Sequence, residues 1–340
     1  MVKRKKIHSS RREGWRRFRR SGYGPVGLGL LTLFGLMALA HPLLLATVWP
    51  VKVYDPVFGY DAPTVEHTVV EEVTDPATQI RLSYAKIFDP MIKVGEVLTQ
   101  HIQPAAPSRK HLLGTDALGR DVLSQLLAGA APTFAVGIGA ALATALIGTG
   151  IAAASAYYRG PVDTSLTILS DSLLLLPAPI LMIMIGFSDL GQHIGAVQFG
   201  LLYGILTGAS GAAIVLRSRA LTVIASPFID AAKVAGAGPR RIILTHLIPS
   251  IAPLAAIYML FGAAGAVVTD GFVAWLSLGK TRYNWGTMIY YAVTYTSPNG
   301  DIPWNVLIAS ALAISTFAAA FYLVALGIRA ASNPTTNALR

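Results

Sequence analysis

Residues 133–158 read TFAVGIGAALATALIGTGIAAASAYY, a run without a single charged side chain. About 20 mainly apolar residues carry a helix across the hydrocarbon core of a bilayer, because each adds about 1.5 Å along the axis. The run predicts a transmembrane helix. Five further segments share its character: Pro25–Val48, about Leu166–Phe187, Val197–Leu216, Ile251 to about Thr269, and Trp304 to about Ile328. The Leu166–Phe187 segment holds one ionisable group, Asp171. Together they define an all-α polytopic membrane protein of six transmembrane helices, with every backbone polar group satisfied inside its own span.

Composition agrees. Hydrophobic residues make up 54% of the chain and charged residues 13%, with a mean hydropathy of +0.56. Soluble domains carry about 25% charged residues. The 32 glycines suit helices that approach one another closely in lipid; Gly137, Gly139, Gly148 and Gly150 in the second span, and Gly204 and Gly208 in the fourth, are expected at such faces. Pro177 and Pro179 predict a kink or break in the third span, since proline cannot donate to the helical ladder. The absence of cysteine excludes disulfides, thiolate metal sites and cysteine nucleophiles.

The net charge of +10 is concentrated rather than spread. Between Met1 and Arg20 ten Lys/Arg stand against one acid, Glu13, immediately before the first span. Basic residues beside a span are the positive-inside signal, helped by anionic headgroups, so membrane lipid and not nucleic acid is the expected partner of this charge. The organisation that follows is a cytoplasmic basic segment (1–24), the first span (25–48), an extracytoplasmic segment (49–130), a five-helix core (131–330) with a cytoplasmic loop at 217–250, and a cytoplasmic tail (331–340). The loop carries Arg217, Arg219, Lys233, Arg240 and Arg241 against the single acid Asp230, whereas acids from Asp55 to Asp121 crowd the outside segment. Trp49, Tyr157, Tyr158, Trp285 and Trp304 fall near span ends, where amphipathic rings prefer to lie. Ala38-Leu39-Ala40 resembles a signal-peptidase site, but the apolar run continues to Val48, so an uncleaved anchor is expected.

The loop itself, RSRALTVIASPFIDAAKVAGAGPRRIILTHLIP at 217–249, specifies two short helices with a break. Ser226 suits an N-cap and Pro227 the first helical position. Asp230 then sits in the first turn, where negative charge meets the positive end of the helix dipole. Gly236 and Gly238 can take positive φ and stop the helix, and Pro239 can start the next. Such a hairpin either docks on a cytoplasmic partner or is a plain basic connector.

Asp230-Ala231-Ala232, then Gly236, then Ile248-Pro249 resembles the EAA loop of permease subunits of ABC importers. Asp stands here for the usual Glu, Ile for Leu, and His246 for the usual Ile. Other segments are similar to those of the dipeptide, oligopeptide and nickel "C" subunits: HLLGTDALGRDVLS at 111–124, Trp15 to Arg20 before the glycine-rich first span, the spacing of Asp171 to Pro177, Trp275 to Gly279, Asn284 to Ile289, and Gly327 to Pro334. Residues 49–107 carry no such likeness. The resemblance implies a type I importer permease fold and a coupling helix built from Asp230, Ala231, Ala232, Gly236, Arg240 and Pro249. It also implies a homologous second permease subunit, two cytoplasmic ATPase subunits that hold ATP and Mg, and an extracytoplasmic binding protein that delivers short peptides or a related small solute such as nickel. This chain itself would bind no cofactor.

Three sets of residues are singled out beyond the loop. Asp116, Arg120 and Asp121 either shape the outer mouth and meet the binding protein, or form an internal network. Asp171 and Asp270 lie in or beside spans, where a carboxylate is costly unless hydrated, paired or protonated. They are candidates for the pathway, with pairing to another subunit or a helix terminus as the plainer alternative. Gly279-Lys280-Thr281 is not a phosphate loop, because Ala274 stands where that motif needs glycine. No catalytic or metal-ligand pattern is present, so the chain is not expected to be an enzyme by itself. A secondary transporter or channel would need ionisable relays or inverted repeats, and neither is clear.

Overall fold

The computed structural model describes residues 13–61, 65–71, 82–101, 103–276, 283–295 and 302–332. Most of the basic leader, the Gly279-Lys280-Thr281 segment and the Asn333-Pro334 ending lie outside the described residues. The chain forms two compact units. One comprises Met1–Leu43, Leu126–Tyr290 and Ala309–Arg340; the other comprises Leu44–Gln125 and Tyr291–Ile308.

In chain order the elements are α1 (Tyr23–Thr47), α2 (Val51–Tyr54), β1 (Val65–Val69), α3 (Leu82–Phe88), β2 (Val97–His101) and α4 (Val122–Tyr158). Then come α5 (Gly160–Leu175), α6 (Ala178–Phe187), α7 (Asp189–His193), α8 (Ala196–Thr207), a π-helical turn at Gly208–Ala212, α9 (Ala213–Ile224) and α10 (Pro227–Val234). Last are α11 (Pro239–Ile242), a second π-helical turn at Ile243–Leu247, α12 (Ile248–Leu276), α13 (Trp285–Thr294) and α14 (Trp304–Ser332).

Among the described residues five helical stretches are long and apolar enough to span a bilayer: Tyr23–Thr47, Val122–Tyr158, Ala196–Ile224, Pro239–Leu276 and Trp304–Ser332. A sixth is the broken pair α5 and α6, bent by 71° at Leu176-Pro177. The protein is thus an all-α polytopic membrane protein, and the third span breaks where proline removes a backbone donor. The stretch from Pro239 is much longer than the span read from hydropathy, because the connector's second half is already helical and continues into α12.

In the first unit the helices meet on small residues. Gly200 and Gly204 of α8 lie directly on the backbone of α4 at Val136 and Ala140, and Gly139 faces Val197 in return. A Cβ on Gly139 would stand 2.7 Å from the Val197 carbonyl oxygen. Gly150, expected at such a face, has open space beside it, while Gly200 was not singled out from the sequence. Around this crossing Val136, Ala140, Met182, Phe199, Tyr203, Ala266 and Val273 are buried together. A second cluster joins Ala152, Ala153 and Ala156 of α4 to Leu216, Ala220 and Val223 of α9 and to Leu247, Ile251 and Ala255.

Trp285 departs from the interfacial expectation. It is 1% exposed, donates Nε1–H to the Leu126 carbonyl at 2.8 Å, and packs its ring 5.5 Å from Phe34 and 5.7 Å from Phe317. An indole with its donor satisfied is a core residue even in lipid. In the second unit β1 and β2 pair antiparallel, with Val65 opposite His101 and Val69 opposite Val97. Val70, Ala85, Ile92 and Leu98 form its small core.

Candidate functional site

The connector between the fourth and fifth spans is shaped by two terminators. At the start of α10, Pro227 takes the first helical position, but Ser226 does not cap the helix: its Oγ donates back to the Thr222 carbonyl at 3.2 Å. At the end, Gly236 adopts φ +82°. Its N–H donates to the Lys233 carbonyl at 2.9 Å and that of Ala237 to the Ala232 carbonyl at 3.0 Å. This pair of bonds is the Schellman ending, which satisfies orphan carbonyls and needs a residue at ease in the left-handed region. Gly238 is extended at φ −72°, so positive φ is confined to Gly236.

One side of α10 is anchored and the other is open. Ile229 is fully buried, as is Ile242 of α11. Phe228 is 50% exposed and Val234 91% exposed. Asp230, Ala231, Arg240 and Pro249 are exposed, with Ala232 half-buried between the two sides. Among the described residues the Asp230 carboxylate has only Lys233 close by, at 3.4 Å, a surface pair of small energetic weight. The connector therefore presents a short helix with an apolar and an acidic group free to contact something outside the chain.

Beneath it lies a charge cluster that the sequence reading did not assemble. Arg217, counted there as a loop charge, sits on α9 and points at Asp163 in the first turn of α5. Arg217 Nε reaches Asp163 Oδ1 at 2.6 Å and Ser155 Oγ of α4 at 3.0 Å, while an Nη reaches Oδ2 at 2.8 Å. Ser155 Oγ also donates to Asp163. A forked guanidinium–carboxylate pair is strong and directional, so three helices are pinned together where α9 leads into the connector.

In the second unit Asp116, Arg120 and Asp121 are all at least 97% buried. Arg120 reaches Asp116 Oδ2 with Nε at 2.7 Å and an Nη at 2.6 Å, and its guanidinium lies 4.2 Å above the Tyr291 ring. Gln125 Nε2 donates to the same carboxylate oxygen at 3.1 Å. Asp116 does not cap the following helix. Instead its Oδ1 accepts from the N–H groups of Leu118 and Arg120, closing its own turn, and Asp121 caps α4 through the Ser124 N–H at 2.6 Å.

Asp121 has a second partner that sequence reading missed. His111, fully buried, places Nδ1 2.8 Å from Asp121 Oδ2 and Nε2 2.9 Å from Asp61 Oδ2. Each contact needs a proton, so the three groups share two between them. Lys110 also reaches Asp61, at 2.5 Å. Burial pushes the Asp121 carboxyl up from its ordinary value, against the opposing bonds from Ser124 and His111. Burial pushes Asp61 up as well, but the bonds from Lys110 and His111 outweigh it, and its carboxyl ends below the usual range. The ten-residue spacing of His111 and Asp121 was visible in the 111–124 segment; Asp61, fifty residues earlier, carried no signal.

The two carboxylates flagged in the spans occupy opposite environments. Asp171 is exposed on α5. Asp270 is 2% exposed and accepts from Asn284 Nδ2 at 2.7 Å.

Residues 146–337 match the family described as binding-protein-dependent transport system inner membrane component. Over 231 residues the chain is 31% identical to a Brucella suis protein described as a peptide transport system permease, covering 67% of this chain and 75% of that one. It is 28% identical over 241 residues to an oligopeptide transport system permease protein of Mycobacterium tuberculosis, covering 70% and 80%. A glutathione transport system permease protein of Escherichia coli is 29% identical over 231 residues, covering 67% and 73%. The chain belongs to the binding-protein-dependent transport system inner membrane component family: it is a membrane permease component of a transporter.

Proposed function

We propose that this chain is one permease subunit of an ATP-driven importer for short peptides. It pairs with a homologous second permease, stands on two cytoplasmic ATPase subunits that hold ATP and Mg, and receives cargo from an extracytoplasmic binding protein. Both termini and the 217–250 connector face the cytoplasm, as the Lys/Arg bias favours. Helix α10, from Asp230 to the stop at Gly236, fits a groove on an ATPase subunit and passes its ATP-driven movement to the span helices. Behind it the Arg217–Asp163 pair holds α9 to α5, so a movement that reaches α9 is shared with α5. The single observation that carries the reading is an anchored helix with a free face, closed by a Schellman ending, at the position of the family's coupling loop. The peptide, oligopeptide and glutathione permeases named among the relatives support peptides as cargo.

The test is uptake of a labelled tripeptide into vesicles holding the purified complex with its ATPases and binding protein. Uptake should require ATP and the binding protein. Uptake driven by an ion gradient without ATPases would overturn the reading.

A further inference from the structure

A cavity of about 320 Å³ opens in the first unit beside the break in the third span. Its size is at the lower end for small-molecule sites. Its walls come from four different span helices, α4, the α5–α6 pair, the fourth span and α12. Two backbone irregularities meet at this spot. One is the 71° bend at Leu176-Pro177. The other is the π-helical turn Gly208–Ala212, in which Ser210 stands at φ −100° and ψ −108°, outside helical geometry. Irregular backbone at membrane depth survives only where protein covers it or where it lines a polar cavity, and π turns concentrate at functional positions.

The chemistry of the lining is one-sided. Leu176 N–H bonds the Leu173 carbonyl, and Pro177 offers no N–H, so the last turn of α5 lacks donors that a straight helix would supply. The aliphatic hydroxyls of Ser210, Thr207 and Thr144 are engaged with the main chain or with each other. Ser210 Oγ donates to the Leu206 carbonyl at 2.8 Å, Thr207 Oγ1 to the Tyr203 carbonyl at 3.0 Å, and Thr144 Oγ1 meets Thr207 Oγ1 at 3.1 Å. What these groups still present is oxygen lone pairs. No lining residue is charged, and the rings of Tyr258 and Phe261 supply flat apolar wall. An acceptor-rich, uncharged cavity with aromatic walls offers no charged donor to an inorganic anion and no carboxylate to a divalent metal ion, and a lipid tail would leave its acceptors unpaired.

We infer that this cavity is a station for the main chain of the cargo in transit, accepting from the amide N–H groups of an extended short peptide whatever its side chains. The inference rests on the importer reading above and assigns to it a binding place distinct from Asp171 and Asp270. Recognition through N–H groups rather than side chains would let one pathway pass peptides of varied sequence.

Gly211 provides the test, because it lines the cavity and a Cβ there meets only Leu174 Cδ1, at 3.8 Å. In the purified complex in proteoliposomes, Gly211→Leu should lower trialanine uptake about tenfold, the size of effect that filling a packed site by a few methylenes brings. ATP hydrolysis stimulated by the loaded binding protein should stay near the wild-type rate. Gly29→Leu, on an exposed face of α1 with nothing within 4 Å, should change neither. The cysteine-free chain gives a second arm that survives any assembly fault of the leucine variant. Gly211→Cys should react with a charged, membrane-impermeant thiol reagent, and trialanine trapped in the complex should slow that reaction at least several-fold. Wild-type uptake by Gly211→Leu, or a Gly211→Cys thiol inert to the charged reagent, would overturn the inference while leaving the importer intact. Failure of the wild type to import trialanine at all would instead remove the cargo reading, and this inference with it.

Discussion

Arg217 holds Asp163 through two parallel hydrogen bonds of 2.6 and 2.8 Å, although 54 residues separate them in the chain. The pair is partly exposed, at 29% and 15%, so breaking it costs less than breaking a fully buried pair and more than breaking a surface one.

Removing either half should therefore cost about 1–3 kcal/mol, chiefly by leaving the other half unpaired. Arg217→Lys should fare little better than Arg217→Ala, because an ammonium cannot reproduce the fork. Thermal unfolding of Asp163→Asn, Arg217→Lys and the double variant in one detergent checks this. Costs that simply add would show that the two side chains do not act together.

Gly236 stands at φ +82°, where side chains other than Gly and Asn are strained. Gly236→Ala should cost about 1 kcal/mol and fray the end of α10, with Gly236→Asn milder and Gly236→Val worse. Asp230→Ala, at an exposed position, should leave stability within about 0.5 kcal/mol of wild type. On the proposed coupling role both Asp230→Ala and Gly236→Val lower ATP-driven uptake. Unchanged uptake in both, with the complex assembled, would remove that role.

Acid should weaken the Asp61 part of the second unit. Its carboxyl lies below its ordinary value of 3.8 in the folded protein, so its contribution is fully present above pH about 3.8 and is lost as pH falls through the lower folded value. Asp121 has the opposite sign: its carboxyl is raised by burial, so acidification relieves rather than removes stability there. Asp61→Asn should reduce amide protection in residues 103–125 at pH 7, and the difference from wild type should shrink below pH 4. A difference that persists unchanged at pH 3 would contradict the assignment.

Gly200 touches the α4 backbone with no room for a side chain. Gly200→Leu should force α8 off α4 and cost more than about 3 kcal/mol, read as loss of folded protein in mild detergent. Gly150→Leu, beside open space, should be tolerated by the isolated chain. Equal yields for the two would show that the crossing is not close-packed.

How much of this was legible depends on the range of the interaction. Pro177 announced a break, and the break is there, because a missing N–H is a local fact. Gly236 and Pro239 bounded the connector for the same reason. Ser226 misled, since a capping hydroxyl can turn either way and here it bonds backward to Thr222. A carboxylate near a helix start has the same freedom: Asp116 closes its own turn and Asp121 caps α4.

Length, apolarity and charge bias by themselves determined that the chain crosses a membrane with six helical segments, and the local chemistry of proline and glycine determined where those segments stop. Hydrophobic transfer and backbone hydrogen bonding act within one stretch of chain, so one stretch suffices to read them. Which glycines would touch a neighbouring helix, that His111 would lie between Asp61 and Asp121, and that Trp285 would be core rather than belt were decided only by the tertiary structure. Those contacts exist because packing brings distant positions within a few ångströms, and no local pattern encodes which partner will arrive.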